Sequence, residues 1–434
     1  MEILYKNFLV YGTGLSGTSA VSFLLKKGAR IVYTYDDYNT NSIRYAHRIK
    51  NFTDILKLDI ECVILSPGVN VIDNPNIELL KQNNINYISE FCLGFLYSLG
   101  TKVCVTGTNG KTTTVNVLYD IVKRQYDSVF LCGNTDCPIT QIALNTTSKS
   151  ILICEVSSFA LECITNQFKP DISAILNITV DHISRHKSFE NYRQSKLNIT
   201  KFQNENQFFV CNKEFDCDTK AQKQKYSLGQ KNEGAYFYDK KIYYRNKKIL
   251  HTKIIKLVGE KNIENILCAV TISKILKIKN RYIKTAIKNF KPLNHRLQKV
   301  YSNSGIDFID DSKATNPDST ICALLSLKQP IILLLGGSDK GYQYDEIFKY
   351  CTFVKHIVTF GEMNQKIKKS ALDNNFYNVS SFNTLNEAVK YSKQIAKSGD
   401  VVLLSPACAS FDEFKSYSHR GDMFLEYIKN NEKI

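Results

Sequence analysis

The chain has 434 residues, 43% of them hydrophobic and 23% charged, a globular composition too long for one ordinary core and suited to two or three domains. No apolar run approaches the ~18–20 residues of a membrane span, and Met-Glu-Ile-Leu-Tyr-Lys at the start lacks the layout of a signal peptide. The formal charge of +16 comes from dispersed lysines with no arginine-rich stripe and no nucleic-acid motif, which argues against a nucleic-acid partner; with Lys, Asn, Ile and Tyr abundant and Trp absent it reads first as compositional drift from AT-rich coding, and second as attraction for polyphosphate and carboxylate substrates.

The first block opens with a strand at Phe8–Tyr11, the turn Gly12-Thr13-Gly14-Leu15-Ser16-Gly17 and a helix to about Gly28. A second strand, Ile31–Tyr35, ends at Asp36-Asp37; Cys62–Leu65 runs into Ser66-Pro67-Gly68, and Ile85–Ile88 closes the unit near Glu90. This is a Rossmann-like half. Gly12-x-Gly14-x-x-Gly17 with Asp36 downstream leaves an NAD site open locally, and a phosphate-cradling turn for another nucleotide fits equally well.

The middle block begins with the most informative stretch, Cys104-Val-Thr-Gly-Thr-Asn-Gly-Lys-Thr-Thr-Thr114. An apolar run ends in glycines, a lysine and hydroxyl residues, and a helix-compatible run from Val115 to Lys123 follows. Such a strand, turn and helix start aim backbone N–H groups at a phosphate. Gly107 and Gly110 admit close backbone approach, Lys111 reaches terminal phosphates, and Thr112 is placed to ligate Mg²⁺. The first glycine of the usual G-x-x-x-x-G-K-[ST] pattern would fall at Val105, so the loop is a variant; it reads as an ATP site.

Strands at Ser128–Cys132, Ile151–Cys154 and Ile172–Leu176 come next, then a helix over about Ser188–Phe202. Glu155, at a strand end, can hold Mg²⁺ against ATP, with a helix-capping cluster as the plainer alternative. His182 also stands at a strand end. His182 and His186 have a spacing that could chelate zinc on a helix, but without further ligands the pair reads as coincidence. On pattern alone Lys196 is a solvated helix lysine. Tyr226–Leu250 alternates like hairpins, and helical patterns at Asn262–Leu276 and Arg281–Phe290 end near Pro292.

The last block alternates again: Asp307–Ile309, a helix from Asp318, Pro330–Leu335 into Gly336-Gly337, His356–Phe360 into Gly361, and Val401–Leu404 into Ser405-Pro406. A helix from Phe411 to the C-terminus finishes it. Mainly parallel, doubly wound sheets follow from this order, with ligands at the carboxyl ends of strands. Asn262-x-x-Asn265, Asn294-His295-Arg296 and Asp310 to Asn316 are polar clusters compatible with caps and turns. Arg296 suits a phosphate. Cys408 raises a thiol nucleophile, but no histidine lies nearby in sequence. The thirteen cysteines form no C-x-x-C pair, which points to a reducing cytoplasm.

Taken in order, these motifs resemble the Mur ligase family over essentially the whole chain. Thr106-Gly-Thr-Asn-Gly-Lys-Thr-Thr113 is a marker shared with sister ligases and folylpolyglutamate synthetases. Asp311-Ser-Lys-Ala-Thr-Asn316 and Ser405-Pro-Ala-Cys-Ala-Ser-Phe-Asp-Glu-Phe414 look like the D-glutamate-adding branch, and the Asp-Asn-Pro-Arg motif of the branch that adds the third residue is not found. The resemblance implies an α/β fold of three domains. These are a Rossmann-like UDP-substrate-binding domain over 1–90, a central P-loop ATPase-like domain over 91–296, and a Rossmann-like domain binding the amino acid over 297–434. It also implies a cytoplasmic, monomeric enzyme that adds D-glutamate to UDP-N-acetylmuramoyl-L-alanine through an acyl phosphate, with ATP and Mg²⁺, in peptidoglycan precursor synthesis.

By family position, Gly107, Thr108, Asn109, Gly110, Lys111, Thr112 and Thr113 hold ATP, with Asn262, Asn265, Arg296 and Asp311 completing the nucleotide site. Thr112 and Glu155 hold a first Mg²⁺ and His182 a second. Lys196 matches a lysine carbamylated in the family, a cation turned into a metal-binding anion. Lys111, His182 and Lys196 are therefore the expected catalytic residues. Leu15, Ser16, Gly68, Asn134 and His182 match the UDP-substrate end; Lys313, Thr315, Lys340, Ser410, Phe411 and Tyr417 match the D-glutamate end. His295 and Arg420 fall on family positions without an assigned role. The chain departs from the family at Ala160 (usually Gln), Lys261 (usually His), Asp136 (usually Gly) and Asp36-Asp37-Tyr38. A nucleotide-binding oxidoreductase and a non-catalytic binding module stay open as other readings.

Overall fold

The computed structural model describes residues 2–229, 231, 233–257 and 259–430. The chain divides into two compact units, one of Met1–Ile254 with Glu264–Asn289 and the other of Ile255–Ile263 with Phe290–Ile434. The architecture is α/β on three sheets.

The first unit holds two sheets. One is fully parallel, with strands β1 (Asn7–Tyr11), β2 (Ile31–Tyr35), β3 (His47–Arg48), β4 (Ile60–Leu65) and β5 (Tyr87–Ser89) in the order 3-2-1-4-5. β1 is buried along its length because both faces are covered. Phe8 and Val10 pack with Ala20, Phe23 and Leu24 of the helix Leu15–Lys26, while Leu9 and Tyr11 pack with Phe52, Ile77 and Leu80. A Cβ at Gly17 would stand 1.9 Å from the Gly12 carbonyl oxygen, so the last glycine of the turn permits this close seating of helix on strand.

The other sheet of this unit has nine strands: β6 (Thr101–Thr106), β7 (Val129–Gly133), β8 (Ile151–Glu155), β9 (Ile172–Ile175), β10 (Phe208–Asn212), β11 (Gln222–Leu228), β12 (Ala235–Tyr238), β13 (Lys241–Tyr244) and β14 (Lys247–His251). Their order is 14-13-12-11-10-9-6-8-7. Only β12, β13 and β14 pair antiparallel, so the hairpin character read over Tyr226–Leu250 belongs to its second half; β11 pairs parallel with β10 and with β12.

The second unit is built on β15 (Gln298–Asn303), β16 (Ile306–Asp310), β17 (Ile331–Gly336), β18 (Val354–Phe360), β19 (Val379–Ser381) and β20 (Val401–Ala407), in the order 15-16-20-17-18-19. All pairs are parallel except β15 with β16. The central strands β17 and β20 are buried throughout, with Leu333 and Leu403 in one apolar layer and Leu334 and Leu404 in the other. The last helix begins at Tyr417 rather than Phe411. Ser416 starts it, its carbonyl accepting the Arg420 N–H and its Oγ the His419 N–H, so residues 411–416 remain a turn. All thirteen cysteines are free thiols. Among the described residues no helix is long and apolar enough to cross a membrane.

Candidate active site

β6 leads through the 107–110 turn into the helix Lys111–Val122. Gly110 is the N-cap at φ 87°, and a Cβ there would stand 2.3 Å from Asn265 Oδ1. Glycine brings no capping side chain, so the first-turn N–H groups and the positive end of the helix dipole are offered to an anion. Asn177, just past β9, braces the turn: its Oδ1 accepts the Asn109 N–H at 2.9 Å and its Nδ2 donates to the Asn109 carbonyl at 3.0 Å. Thr108 Oγ1 accepts the Thr179 N–H at 3.0 Å and meets the Tyr192 hydroxyl at 3.0 Å.

Two amines converge on one carbonyl. Lys111 Nζ donates to Gly107 O at 2.7 Å and Thr108 O at 2.9 Å, and Lys196 Nζ donates to the same Gly107 O at 2.9 Å. Lys196 is 1% exposed, so the solvated lysine suggested by its pattern is wrong. Burial, then the charge of Lys111, holds its pKa well below the ordinary lysine value, against the pull of Asp181 and Glu155. A neutral amine is a nucleophile, the state in which lysine adds CO₂.

Glu155 ends β8 and is buried. Its Oε1 accepts from Asn134 Nδ2 at 3.1 Å, and its buried Oε2 has no hydrogen-bond partner among the described residues. A buried carboxylate oxygen without a donor is costly, and a divalent cation is the partner that suits it. Thr112, in the first turn of the same loop's helix, adds a hydroxyl. Among the described residues no three His, Cys, Asp or Glu side chains cluster as metal ligands. A Mg²⁺ ion at Glu155 would draw the rest of its shell from water and substrate phosphates. Lys196 fits such a shell only as a carbamate.

His182 takes a left-handed backbone at φ 53° after β9, its N–H donating to Asp181 Oδ1 at 2.8 Å and its ring 4.8 Å from that of Phe159. His186 is not its zinc partner. The left-handed residue breaks the helix that the spacing assumed, and His186 is buried with Nε2 3.1 Å from Ser158 Oγ and Nδ1 3.4 Å from Glu162. Burial, then the charge of Arg185, lowers its pKa to about 4.

The expected UDP-substrate residues lie in the same unit. Leu15, 60% exposed, and Ser16 open the helix Leu15–Lys26, Gly68 is exposed in the turn after β4, and Asn134 follows β7. Asp36 is already committed: Oδ2 accepts the Thr13 N–H and hydroxyl at 2.7 and 2.9 Å, and Oδ1 accepts the Tyr38 and Asn39 N–H groups at 3.0 and 2.9 Å. A ribose would have to displace that set, which removes the main support for the NAD reading.

In the second unit, Asp311 is buried, with Oδ2 accepting from Ser405 Oγ at 2.8 Å and Oδ1 from the Leu297 N–H at 3.1 Å. Burial raises its pKa to about 7. Asp310 pairs with His295 Nδ1 at 2.6 Å. Lys313 Nζ lies 3.7 Å over the Tyr417 ring. Burial raises the Tyr417 pKa, but the hydrogen bond and charge of Lys313 outweigh it and the net shift is downward. Thr315 is half-buried, Ser410 is buried, Phe411 beside it is 74% exposed, and Lys340 Nζ lies 5.6 Å from the Tyr342 ring. Arg296 and Asn262 also belong to this unit, whereas Asn265 belongs to the first. Burial pushes the Cys408 thiol up to about 12, so it is no nucleophile.

Three supporting residues, Asn177, Ser405 and Arg420, carry roles that sequence reasoning did not assign. The first two stood in motifs at strand ends. Arg420 is fully buried and spends its guanidinium on backbone and hydroxyl oxygens. Nε donates to Ser312 Oγ at 2.9 Å, Nη1 to the carbonyls of Ala409 at 2.8 Å and Gly336 at 3.5 Å, and Nη2 to those of Ser312 at 2.9 Å and Cys408 at 3.1 Å. It ties together the turns that carry Lys313 and Ser410.

The Mur ligase middle domain matches residues 105–273, and the Mur ligase, glutamate ligase domain matches residues 295–408. The UDP-N-acetylmuramoylalanine–D-glutamate ligase of Alkaliphilus metalliredigens (strain QYMF) is 36% identical over 99% of this chain and 99% of its own. The enzyme of the same name from Clostridioides difficile (strain 630) is 35% identical over 99% of this chain and 100% of its own. Among solved structures, the MurF ligase from Thermotoga maritima in complex with ADP covers 99% of each chain with a TM-score of 0.62 at 15% identity, a likeness of fold. With relatives aligned from end to end and domain matches in both halves, the chain belongs to the Mur ligase family.

Proposed function

We propose that this chain adds D-glutamate to UDP-N-acetylmuramoyl-L-alanine in peptidoglycan precursor synthesis, using ATP and Mg²⁺, as a cytoplasmic monomer. Relatives named for that ligation align over its whole length. The observation that carries the reading is the gathering of Lys111, Lys196 and the unpartnered Glu155 oxygen around the 107–113 turn. We infer the same division of labour as above: 1–90 for the UDP end, 91–296 for ATP and 297–434 for the amino acid.

The chemistry asks two anions to meet. An alanyl carboxylate oxygen attacks the γ-phosphorus, the bond to the bridging oxygen breaks, and ADP leaves. The D-glutamate amine then attacks the acyl carbon, the bond to phosphate breaks, and the nitrogen sheds a proton. Repulsion between carboxylate and triphosphate is the first obstacle, and fixed positive groups lower it. Lys111 would exchange its two carbonyl partners for phosphate oxygens, joined by the N–H groups of Gly110 to Thr113. Thr112, Glu155, His182 and carbamylated Lys196 would hold Mg²⁺, which when bound neutralises phosphate charge. Asn262, Asn265, Arg296 and Asp311 would complete the nucleotide site. Leu15, Ser16, Gly68 and Asn134 would seat the UDP substrate. Lys313, Thr315, Lys340, Ser410, Phe411 and Tyr417 would seat D-glutamate.

Purified protein should release phosphate from ATP only when UDP-N-acetylmuramoyl-L-alanine and D-glutamate are both present. Turnover with L-glutamate on a folate acceptor, or tight NAD binding without ATP use, would replace the reading.

A further inference from the structure

Arg185 belongs to none of the motifs above, yet its guanidinium makes four hydrogen bonds and stacks on an aromatic ring. It follows His182 in the one-turn helix Ile183–His186, and its side chain is 11% exposed. Nε and Nη2 donate to the two oxygens of Glu162 at 3.1 and 2.7 Å, a bidentate pair. The guanidinium carbon lies 3.9 Å from the Phe159 ring centroid, on the segment after β8.

The remaining bonds reach the other sheet. Nη1 donates to the Pro67 carbonyl at 3.1 Å and Nη2 to the Val69 carbonyl at 2.7 Å. These two carbonyls flank Gly68, which is itself exposed and has open space where a Cβ would be. The same turn is pinned on its other side by Ser66 Oγ, which donates to the Gly12 carbonyl at 2.7 Å. Arg185 thus joins the Ser66–Val69 turn to the His182 turn, and the Ser66 hydroxyl joins the first of these to the Gly12–Gly17 turn.

We propose that Arg185 is a positioning residue that holds the Gly68 turn against the His182 turn, so that both walls of the UDP-substrate cleft are set before substrate arrives. The inference rests on the reading that Gly68 and His182 line that cleft. A lysine cannot reproduce it, because a point charge lacks the planar fork that serves Glu162 and two carbonyls at once. Loss of the tie leaves local turns intact but frees their spacing, and a misplacement on the scale of an ångström is costly in a substrate site.

The test uses full-length Arg185→Lys and Arg185→Ala proteins. KM for UDP-N-acetylmuramoyl-L-alanine should rise about 10-fold or more, with KM for ATP and D-glutamate within about twofold and kcat less affected. Equal shifts in all three KM values would indicate general loosening and overturn the proposal, as would an unchanged KM for the UDP substrate. Hydrogen exchange supplies a readout independent of the reaction. Amides of Ser66, Gly68, Val69 and Asn70 should exchange faster in Arg185→Lys than in wild type, while those of 107–113 keep their protection. Unchanged exchange at 66–70 would sink the tie itself. A wild-type protein inert toward the muramoyl substrate but showing the exchange change would fault the functional reading and leave the structural tie standing.

Discussion

Replacing Lys196 with methionine separates the electrostatic role of this side chain from its packing role. Methionine fills a similar volume, so the cavity cost is small, about 1 kcal/mol or less. Gly107 O is not orphaned by the change, because Lys111 Nζ still donates to it at 2.7 Å. What disappears is a buried amine whose folded pKa lies well below its ordinary value of 10.5. Below 10.5 the unfolded chain binds a proton there that the folded protein refuses, down to the depressed folded pKa. Wild-type stability therefore rises with pH across that window, by up to about 1.4 kcal/mol per pH unit relative to the variant. Urea unfolding followed by tyrosine fluorescence, in CO₂-free buffer at pH 7, 8, 9 and 10, measures the difference. The variant should be the more stable protein at pH 7, and its advantage should shrink steadily toward pH 10. Ligase turnover should fall about 100-fold or more at every pH. Stability curves that run parallel for the two proteins would show that the amine is not held neutral, and the argument for its readiness to take up CO₂ would fail.

Glu155→Gln keeps the Oε1 contact with Asn134 and removes the buried charge; kcat should drop about 100-fold or more while thermal stability holds or rises, and turnover close to wild type would remove the carboxylate from the metal site. Arg420→Lys trades five donors for three, leaving carbonyls among Gly336, Cys408, Ala409 and Ser312 unserved. Calorimetry should register a loss of roughly 3 kcal/mol, and an unchanged melting profile would show that Arg420 ties nothing. Asp311 holds its proton up to about pH 7 in the folded state but loses it near 3.8 when unfolded, so it makes stability decline as pH rises between those values. Asp311→Asn should flatten that decline in urea midpoints at pH 5 and 7, and identical slopes would refute the assignment.

The alternation of strand, turn and helix was readable wherever an apolar run meets Gly, Ser or Asp, and Ile31–Tyr35 is bounded as expected. Between Gly361 and Gly399 no long apolar run meets such a turn. There the helices Asn364–Asp373 and Leu385–Ile395 are lysine-bearing and half-exposed, so their periodicity is carried by a few apolar side chains, and β19, Val-Ser-Ser, is too short to show any. β15 was missed because an antiparallel edge strand is mostly solvated. At the site, the 107–113 turn was legible because its residue types have few other uses together. The burial of Lys196 was not, because the helix Phe189–Leu197 has little apolar face and its neighbours arrive from β6 and the Asp181 turn, far away in sequence. The bonds of Arg185 and Arg420 are likewise tertiary, made to carbonyls that carry no residue identity.

The β12–β14 ribbon ends the strand order of its sheet and leaves β14 as its margin. Lys247 and Lys248 stand exposed on that margin. A second ribbon approaching it edge to edge would bring lysine against lysine, and the repulsion discourages strand exchange between molecules. Two of the chain's surplus lysines thus work against edge-to-edge pairing of this sheet, an effect independent of any ligand.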